Sequence, residues 1–219
     1  MTGSFLHDFG GMYLNALLVT LRISAWGILI AFVIGFIASL IQYYKIPVVR
    51  QIFAVYIELS RNTPLLIQLF FLYYGLPKLG IVLDREVTAI IGIAFLGGSY
   101  MAEAFRSSLE SIDSAQIQSA LSLGMTPSQV FFHVLFPQAM AISVPPLVAN
   151  VIFLIKESSV VSAIALADLM YVAKDLIGLY YNTGEALLML VICYLIILLP
   201  VSILGSIIER RLRYAGFGI

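Results

Sequence analysis

Glu103 and Asp168 are the carboxylates most at odds with their surroundings. Glu103 ends a long uncharged run that includes Tyr100, and Asp168 is flanked by Leu166, Leu169 and Met170. An ionisable group at apolar depth is costly, so it faces a protein interior or a wet cavity and is a functional candidate by default. Two such carboxylates would attract a cationic group, while Asn150, Ser158 and Ser159 are the nearest polar set for an anionic one. Each acid also has a structural reading. Glu103 and Arg106 stand at i, i+3 and pair on one helix face, and Asp168 caps a helix beginning at Leu169. The residues alone leave both readings open.

Bond-making chemistry finds less support. The chain has no G-x-x-x-x-G-K-[ST] loop to cradle a nucleotide phosphate and no G-x-S-x-G elbow. His7 and His133 lie far apart, and no His, Cys or carboxylate cluster has metal-ligand spacing. Cys193 is the only cysteine, so a disulfide within the chain is impossible and a packed thiol is expected.

The elements that must position these residues are hydrophobic. Residues 23–41, 62–77, 87–102, 134–155 and 186–208 contain no Asp, Glu, Lys or Arg. A bilayer core asks for about 20 apolar residues per helix. Hydrophobic residues make up 61% of the chain and charged ones 11%, far from the roughly 45–50% and 25% of a soluble domain. The expected fold class is therefore an all-α membrane protein with five transmembrane helices. The net charge is zero, so no basic field points to nucleic acid.

The uneven placement of charge sets an orientation. Lys45, Arg50, Arg61, Arg106, Arg210, Arg211 and Arg213 fall on one side of the five spans, and Lys78, Arg85, Lys156 and Lys174 on the other. Cytoplasmic loops collect Lys and Arg, which places the N-terminus outside and the C-terminus inside. The N-terminal residues lack a basic region and a small-residue cleavage site, so the first span is expected to insert itself.

Local signals refine the spans. The first helix is expected from near Gly11 to about Tyr43, with Arg22 either snorkelling or paired to a carboxylate. Residues 47–60 read as a helix near the inner surface, after which Pro64 opens the second span. Gly92, Gly97, Gly98 and Ser99 make the third span the central one, because small residues let helices approach closely. Pro137, Pro145 and Pro146 interrupt the fourth. Residues 157–173 are too polar at both ends for a sixth span and read as a re-entrant segment.

Residues 106–133 form a long connection that is not a linker. Ile112, Ile117, Ala120, Leu121 and Leu123 recur at helical spacing, Gly124 stops that helix, and Thr126-Pro127 starts another. Physics leaves partner docking and surface packing equally open for this helix. The stretch SALSLGMTPSQVFFHVLFPQA resembles the EAA motif of permease subunits of ATP-binding-cassette importers, with Ala120, Gly124 and Pro137 matching. Gln118 stands where that family has glutamate and Ser119 where it has alanine, so a salt bridge is replaced by a neutral amide. YIELSRNTPLLIQLFFLYYGLP, SYMAEAFRSSL and NVIFLIKESSVVSAIALADL resemble the polar amino-acid uptake branch of the same family.

The resemblance implies a type I importer permease over residues 1–219, one transmembrane domain in a bacterial plasma membrane. Its coupling helix, about 113–124, would dock a cytoplasmic ATPase through Gln118, Ser119, Ala120 and Gly124. It implies a second permease chain, a homodimer being favoured over a paralogue, and an external substrate-binding protein. ATP and Mg²⁺ would belong to the ATPase, this chain holding no cofactor and no catalytic residue of its own. The two carboxylates then suggest arginine, histidine or lysine as cargo, received among Glu103, Asp168, Tyr100, Asn150 and Ser158. Glutamine or another polar amino acid is the alternative cargo. A proton-coupled secondary transporter is the rival mechanism, though it would need an internal repeat and several titratable residues in the membrane.

Overall fold

A computed structural model of the protein describes residues 2–217, with side chains from His7 to Leu212. Arg213, counted above among the inner-face cations, lies outside the described side chains, as does the start of the chain. Among the described residues every regular element is helical. Helix α1 (Thr2–Tyr43) is 42 residues long and begins earlier than Gly11, since glycines at 10 and 11 weaken a helix without ending it. Four stretches are long and apolar enough to cross a membrane: His7–Tyr43, Arg85–Glu110, Pro127–Ile164 and Thr183–Leu212. A shorter apolar one covers Leu65–Leu79.

The second crossing is where the structure departs most from expectation. Helix α2 (Val49–Arg61) does not lie flat along one face. Its Tyr56 hydroxyl and Ser60 Oγ both donate to the carbonyl of Phe95, at 2.8 and 2.9 Å. Phe95 stands near the middle of α4 (Arg85–Glu110). Helix α2 therefore climbs from the end of α1 to mid-depth, where Asn62, Thr63 and Pro64 interrupt it. Helix α3 (Leu65–Phe70) resumes the crossing and runs on through a π turn, Phe71–Gly75, and a 3-10 turn, Leu76–Leu79. Alone, Leu65–Leu79 would span only about 22 Å at 1.5 Å per residue; with α2 the crossing is complete. An amphipathic sequence that reads as a surface helix is here the lower half of a broken span.

Two prolines explain two irregular turns. Pro77 and Pro137 each follow a π turn, Phe71–Gly75 and Phe131–Leu135. A proline lacks an N–H and its ring crowds the carbonyl four residues back, and the wider turn relieves that crowding. Helix α7 (Phe136–Glu157) then continues through Pro145 and Pro146.

Helix α4 is the hub, as its small residues anticipate. Its apolar window is 67% buried, against 17–39% for the other three long crossings. A Cβ added at Gly97 would meet Leu154 at 2.7 Å and Ala31 at 2.8 Å. That glycine lets α1, α4 and α7 meet along one line. The main core lies there, with Ile23, Leu65, Leu69, Ile93, Met101 and Leu154 almost fully buried.

The segment after α7 makes a 3-10 turn, Ser158–Ile164, and turns sharply at Ala165, whose φ of 55° is left-handed. It then forms α8 (Leu169–Tyr180). Helix α8 packs between α1 and α9 (Thr183–Phe217) around Ala16, Leu176 and Leu190. Cys193 is buried in the same cluster. Polar bonds fasten these late elements to α1: Tyr13 Oη donates to the carbonyl of Ala186, and Leu169 N–H to Thr20 Oγ1. Arg22 is paired with Glu86 rather than snorkelling.

Because Gly97 has no spare space, Gly97→Ala is expected to push two helices apart and cost about 1–3 kcal/mol, the usual range for overpacking. A thermal unfolding scan of purified protein should show a lower midpoint. An unchanged midpoint would mean that the three helices do not meet at this residue.

Candidate functional site

The break in the second crossing must dispose of carbonyls that no longer have helical partners. Unpaired backbone groups at membrane depth are tolerated only where side chains, water or neighbours satisfy them. Here side chains do it. Asn62 Nδ2 donates to the Glu58 carbonyl at 2.8 Å, and Thr63 Oγ1 to that of Leu59 at 2.7 Å. Gln68 Nε2, reaching back from α3, donates to Ser60 O and Thr63 O at 3.0 Å each. The segment N-T-P is thus a built corner, and it opens onto a cavity.

That cavity has two adjoining parts, which share Arg61, Asn62 and Tyr100 in their walls. One of about 310 Å³ is lined by Glu58, Arg61, Asn62 and Tyr100. Its neighbour, about 210 Å³, is bounded by Arg61, Thr63, Leu96, Tyr100, Phe153 and Glu157. Arg61 lies over the Tyr100 ring, 5.4 Å from its centroid, in cation–π geometry. Its Nη1 is 3.6 Å from Glu103 Oε2. Glu103 also pairs with Arg106, which in turn donates to both carboxylate oxygens of Glu110 at 3.0 and 3.1 Å. Tyr100 is held from two sides: Asn150 Nδ2 donates to its carbonyl at 3.2 Å, and the Phe153 ring lies 5.2 Å away.

The electrostatics follow from this wiring. Glu103 is shared between two guanidinium groups, so its charge is compensated inside the protein. Glu58 accepts from Asn62 Nδ2, and neither it nor Glu157 has an ion-pair partner among the described residues. The cavity therefore offers one guanidinium and two uncompensated carboxylates to whatever enters. Such a set can hold a zwitterion, the cation taking its carboxylate and an acid its ammonium group.

Of the residues singled out from sequence, Tyr100 lines the cavity, while Glu103 and Asn150 lie behind it, against Arg61 and the Tyr100 carbonyl. Ser158 and Asp168 do neither. Ser158 is fully buried and donates to the Ile155 carbonyl at 2.7 Å. Asp168 is also fully buried, accepting from Tyr171 N–H at 2.9 Å and Met170 N–H at 3.3 Å. Its carboxylate caps α8, the structural alternative that its position before Leu169 allowed. Glu58, Arg61, Asn62 and Glu157 also line the cavity and do not stand out in the sequence. By sequence Arg61 falls in an inner loop, because the charge-free run begins only at Asn62. The available signal was N-T-P following an amphipathic run, a helix stop inside an otherwise continuous crossing.

On the far side of Glu110 from this cavity lies α5 (Ser114–Ser122), N-capped by Asp113 through Ala115 N–H. Ala120 is buried, whereas Gln118 and Ser119 face outward with Leu121 and Leu123. Gly124 ends the helix at φ 85°, a value that favours glycine. Thr126 and Gln129 then form a complete capping box. Gln138 of α7 donates to Gln116 at 2.8 Å, and Ile112, Leu135 and Ala139 pack beneath. Helix α5 is thereby fixed to the root of the helix that carries Asn150, Phe153 and Glu157.

Comparison with known proteins is consistent with this layout. Residues 18–214 match the family described as binding-protein-dependent transport system inner membrane component. A probable glutamine ABC transporter permease protein, GlnP of Bacillus subtilis (strain 168), is 36% identical over 80% of this chain and 81% of its own. The arginine transport system permease protein ArtQ of the same organism is 30% identical, covering 91% and 92%. The crystal structure of an amino acid ABC transporter with histidines superposes with a TM-score of 0.87 at 30% identity, over 94% of this chain and 96% of that one.

A polar cavity at the break in the crossing makes a chemical prediction. In a Cys193→Ser background, Asn62→Cys should react with a charged thiosulfonate at least tenfold faster than Leu29→Cys, which lies on the exposed apolar side of α1. Equal rates would show that water does not reach the break.

Proposed function

Since this chain belongs to the family of binding-protein-dependent transport system inner membrane components, the permeases of ATP-binding-cassette importers, we propose that the cavity at the break of its second crossing is the cargo site of an amino-acid importer. Discontinuous helices near the midplane are a recurrent way of building such sites, because they expose backbone dipoles and polar side chains without exposing them to lipid. Relatives are named for glutamine and arginine transport, and the structural neighbour carries histidines. The observation that carries the reading is Arg61, a guanidinium at membrane depth set on Tyr100 beside Glu58 and Glu157.

In this reading Arg61 receives the α-carboxylate of the cargo. Glu58 and Glu157 take the α-ammonium and a second cation, which favours arginine, lysine or histidine. Glutamine is the alternative cargo. Glu103 steers Arg61, and Asn150 steers Tyr100. Asp168 and Ser158 act as structural residues. The chain is inserted with its N-terminus outside and its C-terminus in the cytoplasm.

Two features support the assembly. Glu58, Arg61 and Asn62 are exposed in the single chain, and charged groups at this depth do not face lipid. A second permease copy, preferably identical, covers them and completes the path. On the cytoplasmic side the ATPase grips α5 through Gln118, Ser119, Leu121 and Leu123, with Ala120 and Gly124 setting the shape of that handle. ATP and Mg²⁺ bind to the ATPase, an external binding protein delivers cargo, and motion of α5 reaches the cavity through α7.

Proteoliposomes holding the permease with its ATPase, supplied with the binding protein, should import labelled arginine, lysine or histidine. Glu58→Gln and Glu157→Gln should each lower uptake of the basic cargo about tenfold, the scale of one lost charge-assisted hydrogen bond. Asp168→Asn, whose effect falls on α8, should leave the preference among amino acids unchanged. A wild type that prefers glutamine assigns the alternative cargo. Unaltered uptake in both glutamate variants would refute the charge assignment.

A further inference from the structure

Gln68 lies behind the cavity wall and touches nothing that enters it, yet its amide spans the corner that presents Arg61. Its two donors reach Ser60 O and Thr63 O at 3.0 Å each, and those residues bracket Arg61 and Asn62. Carbonyl oxygens only accept, so the amide has one orientation; reversed, Oε1 would oppose two acceptors. In the orientation adopted, Oε1 is buried and without a hydrogen-bond partner among the described residues. An unsatisfied buried acceptor is destabilising. A side chain serving only to fill space between Leu65 and Leu69 would carry no such oxygen, but it would leave both carbonyls open.

Close by, Ser99 Oγ donates to Ser60 Oγ at 3.0 Å, and Ser60 is itself bonded to Phe95 O. The corner is therefore anchored to α4 at Ser60 and to α3 at Gln68. Arg61 and Asn62 occupy the only stretch between these anchors. Rotation of that stretch would carry the guanidinium off the Tyr100 face and away from Glu103.

Resting on the reading of this cavity as the cargo site, we infer that Gln68 is a positioning residue for cargo binding, acting through the guanidinium of Arg61. The two donors of its buried amide fix the backbone on either side of the cationic group.

The test is equilibrium binding of tritiated L-arginine and L-glutamine to the purified permease–ATPase complex, without binding protein. Gln68→Glu has nearly the same shape but replaces the two N–H donors with at most one O–H. Gln68→Asn keeps the amide and, one methylene shorter, reaches only one carbonyl. Gln68→Glu is expected to weaken binding tenfold or more and Gln68→Asn by less, with normal co-purification of the ATPase. Arg61→Lys weakens binding on its own, and the double variant Q68E/R61K is no weaker than R61K, since both changes act through one group. Wild-type affinity in Q68E, or effects that multiply in the double variant, overturns the inference and leaves the cavity assignment standing. Failure of both Gln68 variants to assemble makes it a folding residue and also overturns it. A wild type that binds neither amino acid, or an R61K that binds as wild type, overturns the cavity assignment and the inference together.

Discussion

A peptide group in hydrocarbon must find a partner, and this requirement governs the second crossing more than any apolar contact does. The chain interrupts a helix at mid-depth, which would be ruinous in lipid if the freed carbonyls stayed open. Asn62, Thr63 and Gln68 close them with side-chain donors. Once closed, the corner can expose charged residues to a cavity, and Arg61, Glu58 and Glu157 gather around it. Neutral polar residues thus create the conditions under which charged ones can be placed. Their contribution is local, but the placement of the guanidinium depends on it.

The same corner explains why α4 is rich in small residues. Helix α2 must approach α4 closely enough for Tyr56 and Ser60 to reach a backbone carbonyl. At Gly98 an added Cβ would come within 2.9 Å of Ile34, so a larger residue would disturb the packing of α1 at that level. Dispersion and hydrogen bonding, rather than water expulsion, hold helices together in lipid. The glycines and serines of α4 are therefore geometric conditions for the site as well as for the fold.

Much of the fold was legible in the sequence because its signals are one-dimensional. Charge-free runs marked the long crossings, and Gly124, Thr126 and Pro127 marked the turn after α5, where the structure has a left-handed glycine and a capping box. The site was only half legible. Glu103, Tyr100 and Asn150 stand out by type and depth. Arg61 does not, because charge-free runs are the mark of depth in a sequence, and a charge inside a crossing shortens the apparent span. Asp168 stays ambiguous in the sequence for a different reason: an acid among leucines suits a buried ligand group as well as a helix cap, and the folded chain has its oxygens accepting from the N–H groups of Met170 and Tyr171. The ion pairs of Glu103 were readable at i, i+3 for Arg106 but not across helices for Arg61.

The bonds from α1 to the end of the chain bear on how the molecule is made. Tyr13 meets Ala186 across 173 residues, and Thr20 meets Leu169 across 149. During synthesis the first helix enters the bilayer with both hydroxyls awaiting acceptors or donors that have yet to emerge from the ribosome. Only when α8 and α9 arrive does the bundle close on itself, last helix against first. Helix α1 packs chiefly on α4, which precedes these late elements in the chain, so its two hydroxyls are the part of it that only the end of the chain completes.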